Sequence, residues 1–131
     1  MEYIKRKMRL FGALFMALGI LLGALGSHYL KTVLSVSALE SFDVGNRYLI
    51  YQGLGLLLLS VLGINDSKAI KRLYYLIVGG TVLFSGSIFI LSFKSYLPFP
   101  VSFLGPFTPI GGTALIIGWS YTVYIYLTKK G

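Results

Sequence analysis

The sequence predicts an all-α, polytopic membrane protein: a four-transmembrane-helix bundle in a single domain, with a short outer interfacial helix between spans 1 and 2. The first observation behind this prediction is composition. Of the 131 residues, 56% are hydrophobic and 12% are charged, and the mean hydropathy is +0.79. A water-soluble domain of this length exposes too much surface to hide so many apolar side chains. The second observation is that the apolar residues fall into four long runs.

These runs cover about residues 8–26, 48–64, 73–93 and 109–127 of the single domain 1–131. At a rise of about 1.5 Å per residue, roughly 20 helical residues cross the hydrocarbon layer of a bilayer. The runs are continuous, whereas the strands of a membrane barrel alternate apolar and polar side chains. Each run is therefore predicted to form one transmembrane helix.

The first run also has the layout of a cleavable signal peptide, with a basic start, an apolar stretch and a small-residue ending at residues 24–27. However, its glycines recur on one helical face, which a discarded segment would not need. We therefore expect this run to be retained as the first span.

The segment between the first and second runs has a helical pattern of its own. Leu30, Leu34 and Phe42 are spaced at roughly helical intervals, and Ser37 with Glu40 three residues later is a capping-box pattern. This pattern predicts the short interfacial helix. Before the fourth run, Thr108 followed by Pro109 predicts an N-cap and a first-turn proline.

The charge distribution predicts the orientation in the membrane. The chain carries 12 Lys and Arg against 4 Asp and Glu. Three basic residues, Lys31, Arg47 and Lys94, lie on one side of the predicted spans, and the others lie on the opposite side: Lys5, Arg6, Lys7, Arg9, Lys68, Lys71, Arg72, Lys129 and Lys130. By the positive-inside rule, both termini are predicted to be cytoplasmic in a multi-pass protein, of the plasma membrane or the inner membrane if bacterial. No basic face interleaved with aromatic residues is present, so nucleic acid is not a predicted partner.

Four motifs occur in a characteristic order. They are Gly23-Ala-Leu-Gly-Ser-His28, Arg47-Tyr48 with Tyr51, Phe84-Ser-Gly-Ser87, and Leu104-Gly-Pro-Phe-Thr-Pro-Ile-Gly-Gly112 followed by Gly118-Trp119. With these motifs the chain resembles the Domain of Unknown Function 423 family of small membrane proteins, which includes the animal transmembrane protein 256. The resemblance implies an integral membrane protein of several helices and implies no activity. The family commonly has Tyr-His where this chain has Tyr51-Gln52, so a role that needs two histidines is not expected here.

With both termini inside, every motif lies in the outer half of the bilayer. We therefore expect one shared polar region there, which could bind a polar or anionic headgroup with Arg47 as the counter-charge. The candidate ligand-binding residues are His28, Arg47, Tyr48, Gln52, Ser85, Ser87, Thr108, Gly111 and Gly112. The alternative is that the glycines and serines serve helix packing only, since small residues let helices approach closely in lipid. The candidate helix-packing residues are Gly12, Gly19, Gly23, Gly26, Gly55, Gly86 and Gly118.

The inventory of reactive side chains is small. The chain has no cysteine and one histidine, and no carboxylates are paired within a span. No catalytic residue, metal site or cofactor is therefore predicted. For His28 we expect the role of a hydrogen-bonding side chain at the membrane interface. Three alternatives stay open: a metal site with Glu40 and Asp43, haem shared across a dimer, and acid–base chemistry with Glu40 or Asp43.

The sequence therefore favours a non-enzymatic structural or accessory membrane component that contacts membrane lipids. Such a protein would act as a homo-oligomer or as a subunit of a larger membrane complex. The alternative is a lipid- or small-solute-binding or transport protein with a polar site near the outer face.

Overall fold

A computed structural model describes residues 1–128 of the chain. Four long helices make up this part of the molecule: α1, Glu2–Leu25; α2, Val36–Leu59; α3, Ser67–Ser92; and α4, Phe107–Thr128. A π-helical segment, Gly26–Leu30, and one further turn, Lys31–Val33, extend α1. Short 3₁₀ turns, Lys94–Tyr96 and Ser102–Leu104, lie between α3 and α4. The all-α prediction is confirmed for this part of the chain. The basic residues Lys129 and Lys130 lie outside the described residues.

Three helical segments within residues 1–128 are long and apolar enough to cross a membrane: Glu2–Val33, Ser67–Ser92 and Ser102–Thr128. The 24-residue helix α2 is not among them. Its first half carries Glu40, Asp43, Asn46 and Arg47, which lower its mean hydropathy. The structure is therefore an all-helical membrane protein with three candidate spans and a fourth, more polar helix.

The predicted separate interfacial helix does not occur in the described chain. Its residues instead form the first turns of α2, which runs without a break from Val36. The cap is also not where the capping box predicts it, because the side chain of Ser35, not Ser37, accepts a hydrogen bond from the backbone N–H of Ala38 over 3.2 Å. No proline or glycine interrupts residues 36–44, so the helix continues into the apolar run.

The predicted start of the last helix also needs correction. The α4 helix begins at Phe107, so Thr108 is its second residue and not its N-cap. The hydroxyl group of Thr108 lies 2.6 Å from that of Ser87. A bond to the neighbouring helix therefore takes the place of the predicted cap.

Each helix packs antiparallel on its neighbour in sequence, and glycines allow the backbones to approach closely. A Cβ atom added to Gly12 would lie 2.8 Å from the carbonyl oxygen of Gly53, and one added to Gly53 would lie 2.9 Å from that of Gly12. At the other end of the same pair, Gly26 lies beside Phe42. Helices α3 and α4 meet in the same way at Gly80 and Gly111. Close backbone contact of this kind drives helix association in lipid.

The buried apolar side chains form two clusters. The larger one lies along the four helices and includes Met8, Leu56, Ile70, Leu73, Ile77 and Leu115. The smaller one closes the end where α1 passes into α2, and it contains Leu30, Leu34 and Phe42. Large apolar side chains on the outward faces, such as those of Ile20, Val61 and Ile116, are exposed. In a bilayer these outward faces contact lipid chains.

Candidate functional site

Three of the predicted ligand-binding residues line one cavity of about 470 Å³, the Gln52 cavity. Tyr48 and Gln52 come from α2 and Gly112 comes from α4. The other lining residues are Phe84, Leu115, Ile116, Trp119 and Ser120. Trp119 was not predicted to be a site residue, although it belongs to the last of the four motifs. One signal could have identified it. A buried tryptophan N–H needs a hydrogen-bond partner, and Gln52 on another helix offers one.

Gln52 is the polar centre of this cavity. Its side chain is buried, and its Oε1 atom accepts a hydrogen bond from Nε1 of Trp119 over 2.7 Å. Its Nε2 atom has no hydrogen-bond partner within residues 1–128 and keeps some accessible surface. The ring of Tyr48 packs on that of Phe84, with the centroids 4.9 Å apart. The cavity therefore combines aromatic walls with one amide N–H₂ group that is free to donate.

A second cavity, of about 390 Å³, includes one predicted residue, Thr108. We call it the hydroxyl cavity, because most of its lining consists of hydroxyl side chains together with one lysine: Ser35, Ser37, Ser41, Ser92, Ser95, Thr108 and Lys94, with Ala38, Ile88 and Leu91. Ser87 lies beside it and bonds to Thr108. Sequence reasoning did not assign these serines and Lys94 to one site, since residues 35–41 and 92–95 are distant in sequence and line one cavity only in the fold.

A third cavity is apolar. It has a volume of about 580 Å³ and is lined by Leu22, Phe42, Phe89, Ile90, Phe93, Leu97, Phe99, Val101, Phe103 and Leu104. Phe89 and Ile90 of α3 and Phe93 directly after it line this cavity, and they alternate along the chain with Ile88, Leu91 and Ser92 of the hydroxyl cavity. The two cavities therefore flank the same end of α3.

Two predicted ligand-binding residues are used in helix packing. The side chain of Ser85 is 1% exposed, and its hydroxyl donates to the carbonyl oxygen of Gly45 over 2.7 Å. Gly111 lies against the α3 backbone, where an added Cβ atom would be 2.4 Å from the amide nitrogen of Phe84. Neither position leaves room for a ligand beside it.

His28 and Arg47 stand apart from these cavities. Both side chains are exposed, and neither forms a hydrogen bond or an ion pair with a residue of the described chain. His28 lies in the π-helical segment and Arg47 in α2. No group of three His, Asp or Glu side chains within residues 1–128 lies close enough to hold a metal ion. The structure therefore divides the predicted polar residues among several places, and their ligand-binding role stays a prediction.

The predicted packing glycines differ in how tightly they are enclosed. A Cβ atom would lie 2.3 Å from Ile50 at Gly19, 2.5 Å from Trp119 at Gly55 and 2.7 Å from Ile77 at Gly118. Gly23 is less confined, with Nδ2 of Asn46 at 3.1 Å. At Gly86 no atom lies within 4 Å, so packing inside this chain does not require a glycine there. Three further glycines in tight contacts were not singled out from the sequence: Gly45, Gly53 and Gly80.

Comparison with known proteins places the chain in a family. The family model described as "Protein of unknown function (DUF423)" matches residues 22–112. A UPF0382 membrane protein of Staphylococcus epidermidis is 34% identical over 122 residues, which cover 93% of this chain and 96% of the relative. The UPF0382 membrane protein YwdK of Bacillus subtilis is 35% identical over 112 residues, which cover 84% of this chain and 87% of the relative. A UPF0382 membrane protein of Haemophilus influenzae is 30% identical over 105 residues, which cover 80% of this chain and 81% of the relative. No solved structure matches the chain. The resemblance found in the motifs is thereby confirmed, and the chain belongs to the DUF423 family of UPF0382 membrane proteins.

Proposed function

We propose that the protein is a non-enzymatic, four-span membrane component, with both termini on the cytoplasmic side, that works as an assembly of identical chains. The observation that carries the assembly is a pair of outward-facing glycines on α3, Gly79 and Gly86. A Cβ atom at either position would have no atom within 4 Å.

The antiparallel packing of α1 and α2 supports the fourth span. Gly12 meets Gly53 near one end of the pair and Gly26 meets Phe42 near the other, so α2 accompanies α1 along its length. If α1 crosses the bilayer, the residues of α2 between these contacts lie at the same depths. The polar residue Asn46 is buried there, and its Nδ2 donates to the carbonyl oxygen of Gly19 over 3.0 Å. Polar side chains that face a neighbouring helix are tolerated within a membrane.

The outward glycines support self-association. Gly79 and Gly86 are seven residues apart and therefore lie on one side of α3. The apolar residues Val82 and Ile90 on that side are 56% and 43% exposed. Gly86 also lines a groove of about 430 Å³ bounded by Phe103 and Phe107, wide enough to receive side chains of another helix. Since small residues at a lipid-facing surface let two helices approach, a second copy related by a two-fold axis would place these glycines against each other.

Cysteine cross-linking in the native membrane tests the assembly. The chain has no cysteine of its own, so Val82→Cys introduces a single reactive thiol on the glycine face. Mild oxidation is expected to give disulfide-linked dimers, which Gly86→Leu in the same chain should abolish. The matched control is Ala13→Leu, which adds similar bulk on the exposed face of α1. The proposal is contradicted if Val82→Cys alone gives no dimers, or if Ala13→Leu abolishes them as Gly86→Leu does. Cross-links to a different polypeptide in stoichiometric amount would instead indicate an accessory subunit.

A second candidate function is binding of a lipid or small solute in the Gln52 cavity. It is favoured by the Nε2 atom of Gln52, which has no protein partner within residues 1–128 and borders aromatic walls. A ligand with a hydrogen-bond acceptor would satisfy this donor. Native mass spectrometry of the mildly extracted protein should then show a retained small molecule, which Gln52→Leu loses and Ser60→Ala, buried outside the cavity, keeps. Equal retention by both variants would remove this candidate.

A further inference from the structure

The hydroxyl cavity carries chemistry that the proposed assembly does not use. From its lining we infer that it binds a phosphate group, carried by an anionic membrane lipid or by a free phosphate ester. The cavity, of about 390 Å³, lies between the start of α2 and the end of α3. It does not include the glycine face of α3, so this inference stands or falls separately from self-association.

The hydroxyl groups supply the hydrogen-bond donors. Ser37, Ser41 and Ser95 make no side-chain hydrogen bond within the described part of the chain, so all three hydroxyls are free to donate. The hydroxyl of Ser92 donates to the carbonyl oxygen of Ile88 over 2.8 Å, so it is not among these free donors. Free hydroxyls that line one cavity from the start of α2 and from the turn after α3 match the several acceptor oxygens of a phosphate.

Lys94 supplies the charge. Its side chain is exposed and forms no ion pair within residues 1–128, and no Asp or Glu lines the cavity. Among the described residues, Lys94 is therefore the one charged side chain that lines the cavity. An ammonium group acts as a point charge toward phosphate, and hydrogen bonds to an ionised group are roughly twice as strong as neutral ones. The N-terminal end of the 24-residue helix α2, whose N-cap Ser35 lies in the wall, adds a partial positive charge.

The neighbouring apolar cavity bears on the source of the phosphate. It flanks the same end of α3 and is lined only by apolar side chains, five of which are phenylalanines: Phe42, Phe89, Phe93, Phe99 and Phe103. A phospholipid could place its headgroup at Lys94 and a hydrocarbon chain on this surface. A free phosphate ester would need the hydroxyl cavity alone.

The test compares two lysines at the same end of the helices. Lys31 is exposed, as Lys94 is, but does not line the cavity. The protein is purified in dodecyl maltoside, which has no phosphate, and is titrated with dioleoyl phosphatidylglycerol in one arm and with inorganic phosphate in the other. Binding is followed by native mass spectrometry for the lipid and by calorimetry for phosphate. Lys94→Gln should weaken binding at least tenfold, whereas Lys31→Gln should change it by less than twofold. The triple variant S37A/S41A/S95A keeps the charge of Lys94 but should also weaken binding.

The arms separate the two sources. Binding in both arms with competition between the probes indicates a free phosphate site, and binding of the lipid alone indicates a headgroup site. Equal losses in Lys94→Gln and Lys31→Gln would reduce the effect to overall charge and overturn the inference, as would no binding of either probe. Lys94→Arg, which keeps the charge, is expected to restore most of the affinity. Cross-linking through Val82→Cys should be unchanged in Lys94→Gln, so failure of one proposal is distinguishable from failure of the other.

Discussion

Nε1 of Trp119 donates a hydrogen bond to Oε1 of Gln52 over 2.7 Å, and the same indole ring packs against Gly55 one turn further along α2. The bond joins α2 to α4, which are not neighbours in sequence, since α3 lies between them. Gly55 allows this contact because a Cβ atom there would lie 2.5 Å from the ring. The pair thus fixes the relative position of the second and fourth helices beside the Gln52 cavity.

Replacing Trp119 tests the energetic role of this bond. Trp119→Phe keeps an aromatic ring but removes the donor, and interhelical hydrogen bonds in membranes are worth about 0.6–1.7 kcal/mol. We expect the free energy of unfolding in mixed micelles to fall by about that amount, with a further loss from the smaller ring. Gln52→His, which keeps an acceptor for Trp119, should destabilise less than Gln52→Leu. Equal effects of the two Gln52 variants would argue against the bond.

Adjacent glycines in α4 should respond differently to the same substitution. Gly111→Ala places a Cβ atom 2.4 Å from the backbone nitrogen of Phe84, and backbone cannot move aside as a side-chain tip can. Overpacking of this kind costs about 1–3 kcal/mol or more. Gly112→Ala meets only the ring of Phe84 at 3.4 Å and gains helix propensity. Thermal unfolding should therefore show a clear fall in Tm for Gly111→Ala and little change for Gly112→Ala. The reverse order would contradict this packing of α4 on α3.

The number of spans determines whether the two ends of the chain share a side of the membrane. Four spans place both termini on one side, whereas three place them on opposite sides. Two kinds of reporter are fused at Met1 and after Gly131, one active only in the cytoplasm and one active only outside it. At both ends the first kind should be active and the second inactive. Thiol labelling of a single cysteine in the loop 94–106 should succeed with a membrane-impermeant reagent added outside. Termini on opposite sides would show that α2 does not cross.

Asn46 should tolerate an apolar replacement better than a charged one. Its Nδ2 is bonded to Gly19, but its Oδ1 is buried without a hydrogen-bond partner in the described structure. Asn46→Leu loses one bond and removes this unpaired oxygen, so the net change is expected to stay within about 1 kcal/mol. Asn46→Asp places an acidic group against the carbonyl oxygen of Gly19, where it must bury a charge or take up a proton, and an Asp at the centre of a membrane helix costs about 2.5–3.5 kcal/mol. Yield of folded protein after extraction should be near normal for the first variant and strongly reduced for the second.

Much of the fold could be predicted because lipid restricts the options for a backbone. Apolar runs of about 20 residues satisfy their hydrogen bonds only as helices, so the four helices follow from composition and run length. Their ends were less predictable. The cap of α2 falls on Ser35 instead of Ser37, and Thr108 bonds to Ser87 instead of capping α4. Several side chains can satisfy a helix end, and which one does so depends on the neighbouring helix.

The candidate sites were predicted only in part. The face shared by Tyr48 and Gln52 follows from helical spacing, and Gly112 joins them in the same cavity. The hydroxyl cavity was not predicted, since Ser37 and Ser95 carry no pattern that links them across the chain. Helical periodicity gives the face of each residue on its own helix, but not the rotation of one helix against the next.

By itself, the sequence determined that this protein is a helical membrane protein of the DUF423 family without cysteine chemistry, because composition and motifs are local properties of the chain. Tertiary structure alone decided that Gly111 packs against backbone while Gly86 faces outward, and that Lys94 lines the same cavity as the serines at the start of α2. These arrangements depend on how side chains pack between helices. In lipid, the hydrophobic effect does not hold helices together, so close backbone contact and interhelical hydrogen bonds determine their arrangement.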